Sequence, residues 1–575
     1  MKDEELNEIA EPVAATVRTM LDQLRDRIVR LPAPYPRYVI FLSASDGTAR
    51  ARVTTVTADS LDDLEVQLTG QPLRPQMSAG YLRLDWATSV RALAFGDYCA
   101  ALRVVKRNYS RKGLAFDPKF QHAVTEAEIN ASALLYRGAA VPHCAINQKN
   151  FQVFWKRRFG QVVQMPAASD IIYLFSSEGL FRDRAEPTVH RLLPTGKDTG
   201  RRAFDMTDTD QVESLIRNGA DYLAKEIHPD GTFNYGWHPS FDRPIQHYNT
   251  LRHASSTYAL SEAYGLLKSP HLRNGVERSL AYLKAERIIT PDGTNGPAYL
   301  TDLANEIKLG GNAVAILAIC KHAETTGHCG DLQLAVQLGE GIIAMRRVSG
   351  DFNHVLHADS LQVKDARRTV YYDGEAAFAL MRLYKATGDP HWLNAVRQAV
   401  DRFIVQDYWT NNDHWLAYCT SELARHDPNP AYIRFGVQNV KGYLNFIANR
   451  ITTFPTLLEL CCATRLLLQQ ALTDPTLRPA LEGLDIPAFV DAMETRAQYL
   501  ANGVFFPEVA MHFRNPNRIV GSFFIRHHGF RVRIDDVEHY LSGLIAYRAY
   551  LNERNAFFKL IENNGMPNQT EELKK

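Results

Sequence analysis

From about residue 205 onward the chain repeats one unit: a helix, a connection and a second helix, with connections that alternate in length. One class of connection is a few residues long, as at Ser269-Pro270 and Gly388-Asp389-Pro390, where Pro starts the following helix. Its one long exception is 473–487. The other class spans 227–253, 285–310, 347–373 and 502–535, with shorter members at 406–412 and 448–455. A stack of helical hairpins with its long loops at one end has an elaborated face and a plain face, and sites gather on elaborated faces.

Apolar spacing and stop signals predict twelve helices. They cover 209–226 (capped by Asp208 or Thr209), 254–267, 271–284, 311–326, 330–346, 374–387, 389–405, 413–425, 429–447, 456–472, 488–501 and 536–551. The second helix of each pair is the more apolar, as in Gly374-Glu375-Ala376-Ala377-Phe378-Ala379-Leu380, which marks an interior helix. The first carries more charge, as in His391-Trp392-Leu393-Asn394-Ala395-Val396-Arg397-Gln398, and suits an outer layer. Pairs that cannot bury their faces alone must stack or close. The expected fold is mainly α: an (α/α)6 toroid over 205–560 and a polar tail over 561–575.

The first 195 residues read as a separate α+β domain. A helix is predicted over 4–30 and strands over Tyr38–Ser43 and Arg50–Thr57, joined at the hairpin signal Asp46-Gly47. Further strands are expected at Tyr81–Trp86 and Ile171–Phe175, with helix over 118–135. Pro194-Thr195-Gly196-Lys197-Asp198-Thr199-Gly200 marks the linker. Two clusters here interleave basic and aromatic residues: Lys106-Arg107-Asn108-Tyr109-Ser110-Arg111-Lys112-Gly113 and Phe151-Gln152-Val153-Phe154-Trp155-Lys156-Arg157-Arg158. Such clusters suit a phosphate, an anionic polymer or a single strand of nucleic acid, but a solvated face against the toroid or an interdomain contact is the first expectation.

The formal net charge of +1 lacks the basic excess of a dedicated nucleic-acid binder. No run of eighteen apolar residues exists, so no membrane span is expected. Met1-Lys2-Asp3-Glu4-Glu5 is no secretory leader, and the seven cysteines show no paired spacing. Reduced, mostly buried thiols in a cytoplasmic protein are the expectation, including the adjacent Cys461 and Cys462. There is no Walker loop and no GxGxxG; no cofactor and no metal is expected, and the oligomeric state is open.

The functional signal lies at the starts of the interior helices. They open with Tyr248-Asn249-Thr250-Leu251-Arg252-His253, with Glu306-Ile307-Lys308-Leu309-Gly310-Gly311-Asn312 and with Tyr371-Tyr372-Asp373-Gly374-Glu375. Two more open with Asn411-Asn412-Asp413-His414-Trp415 and Arg531-Val532-Arg533-Ile534-Asp535-Asp536-Val537-Glu538-His539. Capping alone accounts for Asp373, Asp413 or Asp535 singly. It does not account for the concentration of carboxylates, imidazoles and cations on one face. Glu375 is a carboxylate inside an apolar run, where burial raises the pKa and makes an acid or base. With Asp413 or Asp535 it would form the carboxylate pair of glycoside hydrolysis. Tyr248, His253 or His539 would move protons at carbon. Arg252, Lys308, Arg531 and Arg533 suit an anionic substrate, and Asn312, Tyr372, Asp373 and His414 complete the expected binding set.

These openings and the phrase Leu383-Tyr384-Lys385-Ala386-Thr387-Gly388-Asp389-Pro390-His391-Trp392-Leu393 resemble the six-hairpin (α/α)6 carbohydrate-active superfamily over roughly 205–555. Among its members the chain is most similar to the C-terminal domain of D-glucuronyl C5-epimerases. The stretch Tyr248–His253 is similar to a Tyr-x-Thr-x-x-x-x-Arg-His stretch there, with different spacing. N-acylglucosamine 2-epimerases and unsaturated glucuronyl hydrolases share the architecture. The resemblance implies an enzyme acting on a uronate-like sugar or glycan by epimerisation, hydrolysis or elimination. The alternative is a non-catalytic glycan-binding or assembly protein of a polysaccharide pathway. Adjacent cysteines do not make the Cys-Cys-His zinc site of lanthionine cyclases. Arg533-Ile534-Asp535-Asp536 lacks the first Asp of the terpene-cyclase motif.

Overall fold

The computed structural model describes residues 3–69, 80–105, 107–135, 143–162, 164–186, 188–194, 196–291, 293 and 295–565. Lys106, Thr195 and residues 566–575 of the polar tail lie outside the described residues. The chain divides into two units. One comprises Met1–Phe204, Trp237–Pro244 and Asn502–Val532; the other comprises Asp205–Gly236, Ile245–Ala501 and Arg533–Lys575.

The first unit holds helices α1 (Asp3–Leu24), α2 (Leu61–Thr69), α3 (Phe95–Arg103), α4 (Glu126–Ala131) and α5 (Gln148–Phe159). Its strands are β1 (Tyr38–Ser45), β2 (Arg52–Ala58), β3 (Tyr81–Ala94), β4 (Gly113–Ala115), β5 (Ala123–Val124), β6 (Ile171–Asp183) and β7 (Val189–Leu192). They form one antiparallel sheet in the order β2-β1-β3-β6-β4-β5, with β7 beside β6. Gly47 turns the β1–β2 hairpin at φ 86°, a region open to glycine at no steric cost. Val17, Met20 and Leu24 of α1 pack with Ile40, Leu84 and Trp86 of the sheet. The helix expected over 118–135 is much shorter. Phe120 sits at φ 61°, Ala123-Val124 pairs with β4, and Thr125 with Glu128 makes a capping box that starts the helix at Glu126.

The second unit carries the hairpins. In chain order its helices are α6 (Thr209–Lys225), α7 (Thr250–Leu267), α8 (Pro270–Glu286), α9 (Leu309–Thr326), α10 (Leu332–Ala344) and α11 (Tyr372–Thr387). They continue with α12 (Pro390–Val405), α13 (His414–His426), α14 (Pro430–Lys441), α15 (Leu444–Asn449), α16 (Thr456–Thr473) and α17 (Ile486–Leu500). The stretch Asn502–Val532 clusters with the first unit and carries two single turns, α18 (Pro507–Ala510) and α19 (Pro516–Ile519). The last helix, α20 (Ile534–Asn563), is longer than the 536–551 expected, and the segment 429–447 divides into α14 and α15 around Gly442.

The apolar helices are interior, as their composition requires. α9 buries all but a few of its residues, from Leu309 to Cys320, whereas α12 buries one stripe through Trp392, Val396, Val400 and Phe403. The interior helices pack in sequence: α7 on α9, α9 on α11, α11 on α13, α13 on α16, α16 on α20, and α20 back on α7. α6, α8, α10, α12, α14 and α17 lie against them from outside. A five-stranded antiparallel sheet built from the long loops includes Tyr299–Asp302, Glu306–Lys308 and Val355–His357. Among the described residues no helix is long and apolar enough to cross a membrane.

Gly374 lets α11 approach α13. A Cβ there would strike the Asp413 carboxylate and stand 3.1 Å from both the Leu416 nitrogen and the Trp415 Cβ. The Leu416 nitrogen and the Trp415 Cβ are fixed by the backbone of α13, and the buried Asp413 carboxylate is held by its bond to the Trp415 nitrogen. Gly374→Ala is therefore expected to destabilise the protein by about 1–3 kcal/mol, the usual cost of overpacking, read as a lower urea midpoint.

Candidate active site

A cavity of about 510 Å³ in the second unit is lined by Arg252, Tyr371, Tyr372, Glu375, His414, Trp415, Arg450, Arg533, Asp535, Glu538 and His539, among others. These come from the starts of α7, α11, α13 and α20 and from the loop before α16. The size and mixed lining suit a small-molecule ligand.

His539 is the centre of a charged cluster. Its Nδ1 lies 2.9 Å from Glu459 Oε1 and 3.3 Å from Glu538 Oε1. That nitrogen carries one hydrogen, which the shorter contact takes, so Glu538 Oε1 has no hydrogen bond of its own. Burial alone would lower the imidazole pKa. The Glu538 and Glu459 carboxylates outweigh it and push His539 up to about 10. Nε2 is left as the nitrogen available to a ligand.

His414 is the opposite case. Burial, together with the nearby His539 cation, pushes its pKa well below the usual imidazole range. Its Nδ1 is 3.4 Å from Asp413 Oδ1, and its buried Nε2 has no hydrogen-bond partner. The two rings stand 5.3 Å apart, centroid to centroid, at 74°. One cavity thus holds a neutral imidazole beside a cationic one.

Glu375 is 6 % exposed and its Oε2 lacks a hydrogen-bond partner. Burial raises its pKa to about 8, with Asp535 adding to the rise and His539 opposing it. Gly310 makes room for it, since a Cβ at that position would collide with Glu375 Oε2 and the Tyr372 ring. Asp535 is pulled the other way. Burial would raise it, but Arg252 at 2.8 Å and Arg533 at 2.9 Å hold it below the usual carboxylate range.

Other expected site residues lie off the cavity lining. His253 is fully buried, with Nδ1 2.6 Å from the Tyr248 hydroxyl, Nε2 2.6 Å from Ser279 Oγ, and its ring stacked on Tyr282. Burial lowers its pKa to about 4, so His253 and Tyr248 form a neutral packing pair between α7 and α8. Asn312 accepts from the Leu300 nitrogen and donates to the Lys308 carbonyl, pinning the strand before α9. Lys308 pairs with Asp302 at 2.6 Å. Asp373 contacts His354 Nε2 at 3.0 Å, and Asp413 caps α13 through the Trp415 nitrogen at 2.9 Å. Arg531 belongs to the other unit, where it meets His528 Nδ1 at 3.0 Å. The supposed surplus of cations is accordingly mostly matched: Arg252 and Arg533 by Asp535 and Asp536, Lys308 by Asp302 and Glu306.

Two participants went unnoticed in the sequence. Glu459 stands inside Thr456-Leu457-Leu458-Glu459-Leu460-Cys461-Cys462, the same pattern of a carboxylate in an apolar run that singles out Glu375. Arg450 lines the cavity, its Nε donates to Thr452 Oγ1 at 2.7 Å, and no carboxylate among the described residues pairs with it. Tyr443 and Phe446 stack beside it at 4.4 Å. Two donor sets are compact enough for a metal ion, His414 with Glu459 and His539, and Asp535 with Glu538 and His539. A cation at either would compete with the proton that His539 holds.

Neither protein-family models nor curated proteins match this chain. Among solved structures it is similar to a sugar epimerase from a ruminal bacterium (13 % identity, 59 % of this chain and 98 % of that one, TM-score 0.44). It is also similar to a D-mannose isomerase (12 %, 60 % and 98 %, TM-score 0.45). A third is the cellobiose 2-epimerase of Spirochaeta thermophila (14 %, 60 % and 98 %, TM-score 0.43). With TM-scores below 0.5 these are distant likenesses, and the architecture rests on the helix packing above.

The raised groups make stability pH-dependent. A carboxyl whose folded pKa exceeds its unfolded value binds more protons when folded, so stability falls as pH rises between the two values. For Glu375 that window is pH 4.5 to about 8. His539, raised from 6.5 to about 10, adds a fall of the same sign at higher pH. Urea titrations should show Glu375→Gln losing less stability than the parent between pH 5 and 8; equal slopes would place Glu375 in water.

Proposed function

We propose that this protein is a carbohydrate-active enzyme on an (α/α)6 toroid, moving a proton at a sugar carbon beside a carbonyl. Closure of the interior helices from α20 onto α7 supports the toroid. The observation that carries the chemistry is the facing pair His414 and His539, held in opposite charge states within one cavity. Proton transfer needs a base that is free and an acid that is loaded at the same pH, and environments that drive two groups apart supply both.

In this mechanism His414 Nε2 takes the proton from carbon. Glu375, protonated at neutral pH, donates a hydrogen bond to the carbonyl oxygen as negative charge grows there. His539 returns a proton to carbon, and the cycle closes when His414 gives its proton to solvent and His539 takes one from solvent, a recharging that Glu459 and Glu538 favour. Trp415, Tyr371 and Tyr372 offer flat faces to the sugar. The substrate is epimerised or isomerised. An anionic, uronate-like group is best met by Arg450, the lining cation without a carboxylate.

Glycoside hydrolysis is the second reading, with Glu375 as acid and Asp535 as the ionised carboxylate. Their opposite shifts favour it. Arg252 and Arg533 already occupy Asp535, at 2.8 Å and 2.9 Å, whereas His414 Nε2 has no partner to give up, which ranks this reading below the first. The sugar-binding protein without catalysis ranks below both, because binding alone does not call for opposed imidazoles.

The test is NMR in D2O with cellobiose, mannose and glucuronate-terminated oligosaccharides. Deuterium should appear on a sugar carbon, and His414→Ala and His539→Gln should each slow this by about 10²–10⁴-fold. Arg450→Gln should raise KM for the uronate more than for the neutral sugars. New reducing ends without carbon-bound deuterium would move the assignment to hydrolysis. Every sugar unchanged would sink the enzyme.

A further inference from the structure

The second basic cluster, Phe151–Arg158, plays no part in the cavity chemistry. In the structure it is α5, with Phe151, Phe154 and Trp155 buried and the basic residues turned to the other side. Within the same unit, Arg157 meets two arginines from distant parts of the sequence. Arg50 Nη1 donates to Ser132 Oγ at 2.8 Å, and Arg157 Nη2 reaches the same oxygen at 3.4 Å. Arg50 Nη2 donates to the Ser240 carbonyl at 2.9 Å. Arg514 is tied to the residues on either side of Ser240, through its backbone nitrogen to the Pro239 carbonyl at 3.3 Å and through Nη1 to the Phe241 carbonyl at 3.4 Å.

This arrangement is charged and unmatched. None of Arg50, Arg157 and Arg514 has a carboxylate partner among the described residues. Glu128, whose charge favours the Arg50 and Arg157 cations, is already taken by Arg158 at 2.9 Å and by the Thr125 nitrogen at 3.0 Å. Burial, reinforced by Arg157 and Arg514, pushes Arg50 down to about 9. A guanidinium stays protonated in proteins, so the depression measures how poorly the cation is compensated. Unpartnered buried polar atoms sit alongside: the donors Arg50 Nε and Ser240 Oγ, and the two ring nitrogens of His512, one donor and one acceptor in the neutral imidazole that burial, Arg83 and Arg50 favour. Ser240 is 7 % and His512 2 % exposed. Leaving several such groups unmade costs free energy that a ligand would recover.

We propose that Arg50, Arg157 and Arg514, with Ser240 Oγ, form a binding site for a tetrahedral oxyanion, a phosphate or sulfate, free or carried as an ester. Guanidinium forks match such oxygens in geometry and charge. The hydrogen-bond donors present, five per guanidinium and one hydroxyl, exceed the protein acceptors that use them, while an oxyanion brings acceptors only. The site lies in the α+β unit and stands independently of the proposed sugar chemistry.

Calorimetric titration of the full chain tests it, with inorganic phosphate, inorganic sulfate and glucose 6-phosphate as probes against sodium chloride of equal ionic strength. The parent should bind at least one probe with heat absent from the chloride control. Arg157 and Arg514 are exposed, so the double variant Arg157→Gln, Arg514→Gln should keep the parent's circular dichroism and weaken that probe at least tenfold. Lys149→Gln, on an exposed position of α5, should bind as the parent does. Tighter binding of the ester than of both inorganic ions would identify an esterified ligand, and the reverse a free ion. Failure of all three probes, or undiminished binding by the folded double variant, overturns the site.

Discussion

Each interior helix has more apolar surface than its own hairpin partner can cover. α9 buries residues on every side, and the only remaining cover is another interior helix. The requirement passes from helix to helix until α20 meets α7 and no uncovered face remains. The N-terminal ends of α7, α11, α13, α16 and α20 come together at one cavity. Those ends expose free N–H groups and the positive end of each helix dipole. Carboxylates are therefore favoured there whatever the chemistry, and Asp413 as an N-cap is a direct result. Function can be built only on what remains after the helix ends have been satisfied.

That demand explains which residues were legible in the sequence. Helical spacing gave the pairs, because a 3.6-residue period survives in every one of them. It also led to the cavity, since Arg252, Glu375, His414, Asp535 and His539 all open interior helices and all line it. His253 and Tyr248 carry the same chemistry at the same kind of position, yet α8 packs over them and Ser279 takes the imidazole. One turn of helix rotates a side chain from the cavity to the interface behind it, and residue type does not reveal which. Glu459 was hidden for a related reason: its helix opens with Thr456-Leu457-Leu458, and the carboxylate enters a turn later. In the first unit alternation reveals the sheet strands, whereas the helix expected over 118–135 shortens to Glu126–Ala131 because Thr125 and Glu128 set its start locally.

Charge matching separates structural cations from chemical ones. Lys308 and Arg368 are absorbed by Glu306 and Asp302 in the loop sheet, and Arg533 by Asp535 and Asp536. A cation already paired gains little from a substrate carboxylate, because binding must first break the existing contact. By the same reasoning Asp535 is an electrostatic wall of the cavity more than a base. Among the described residues lining the cavity, Arg450 has no carboxylate partner, and Glu375 Oε2, His414 Nε2 and Glu538 Oε1 have no hydrogen bond.

Those remaining groups are not independent. Burial keeps Glu375 protonated against the pull of the His539 cation, with Asp535 helping, and burial with that same cation keeps His414 neutral. Both groups thus sit in the field of α20, which supplies Asp535 and His539 from one turn of helix. Glu459, from the neighbouring α16, fixes the charge on His539 and also holds its ring in place. α20 thus supplies the cation that acts on both Glu375 and His414. A change that loosened α20 against α16 would disturb acid and base together, because the contact that orients His539 is the one that keeps it charged.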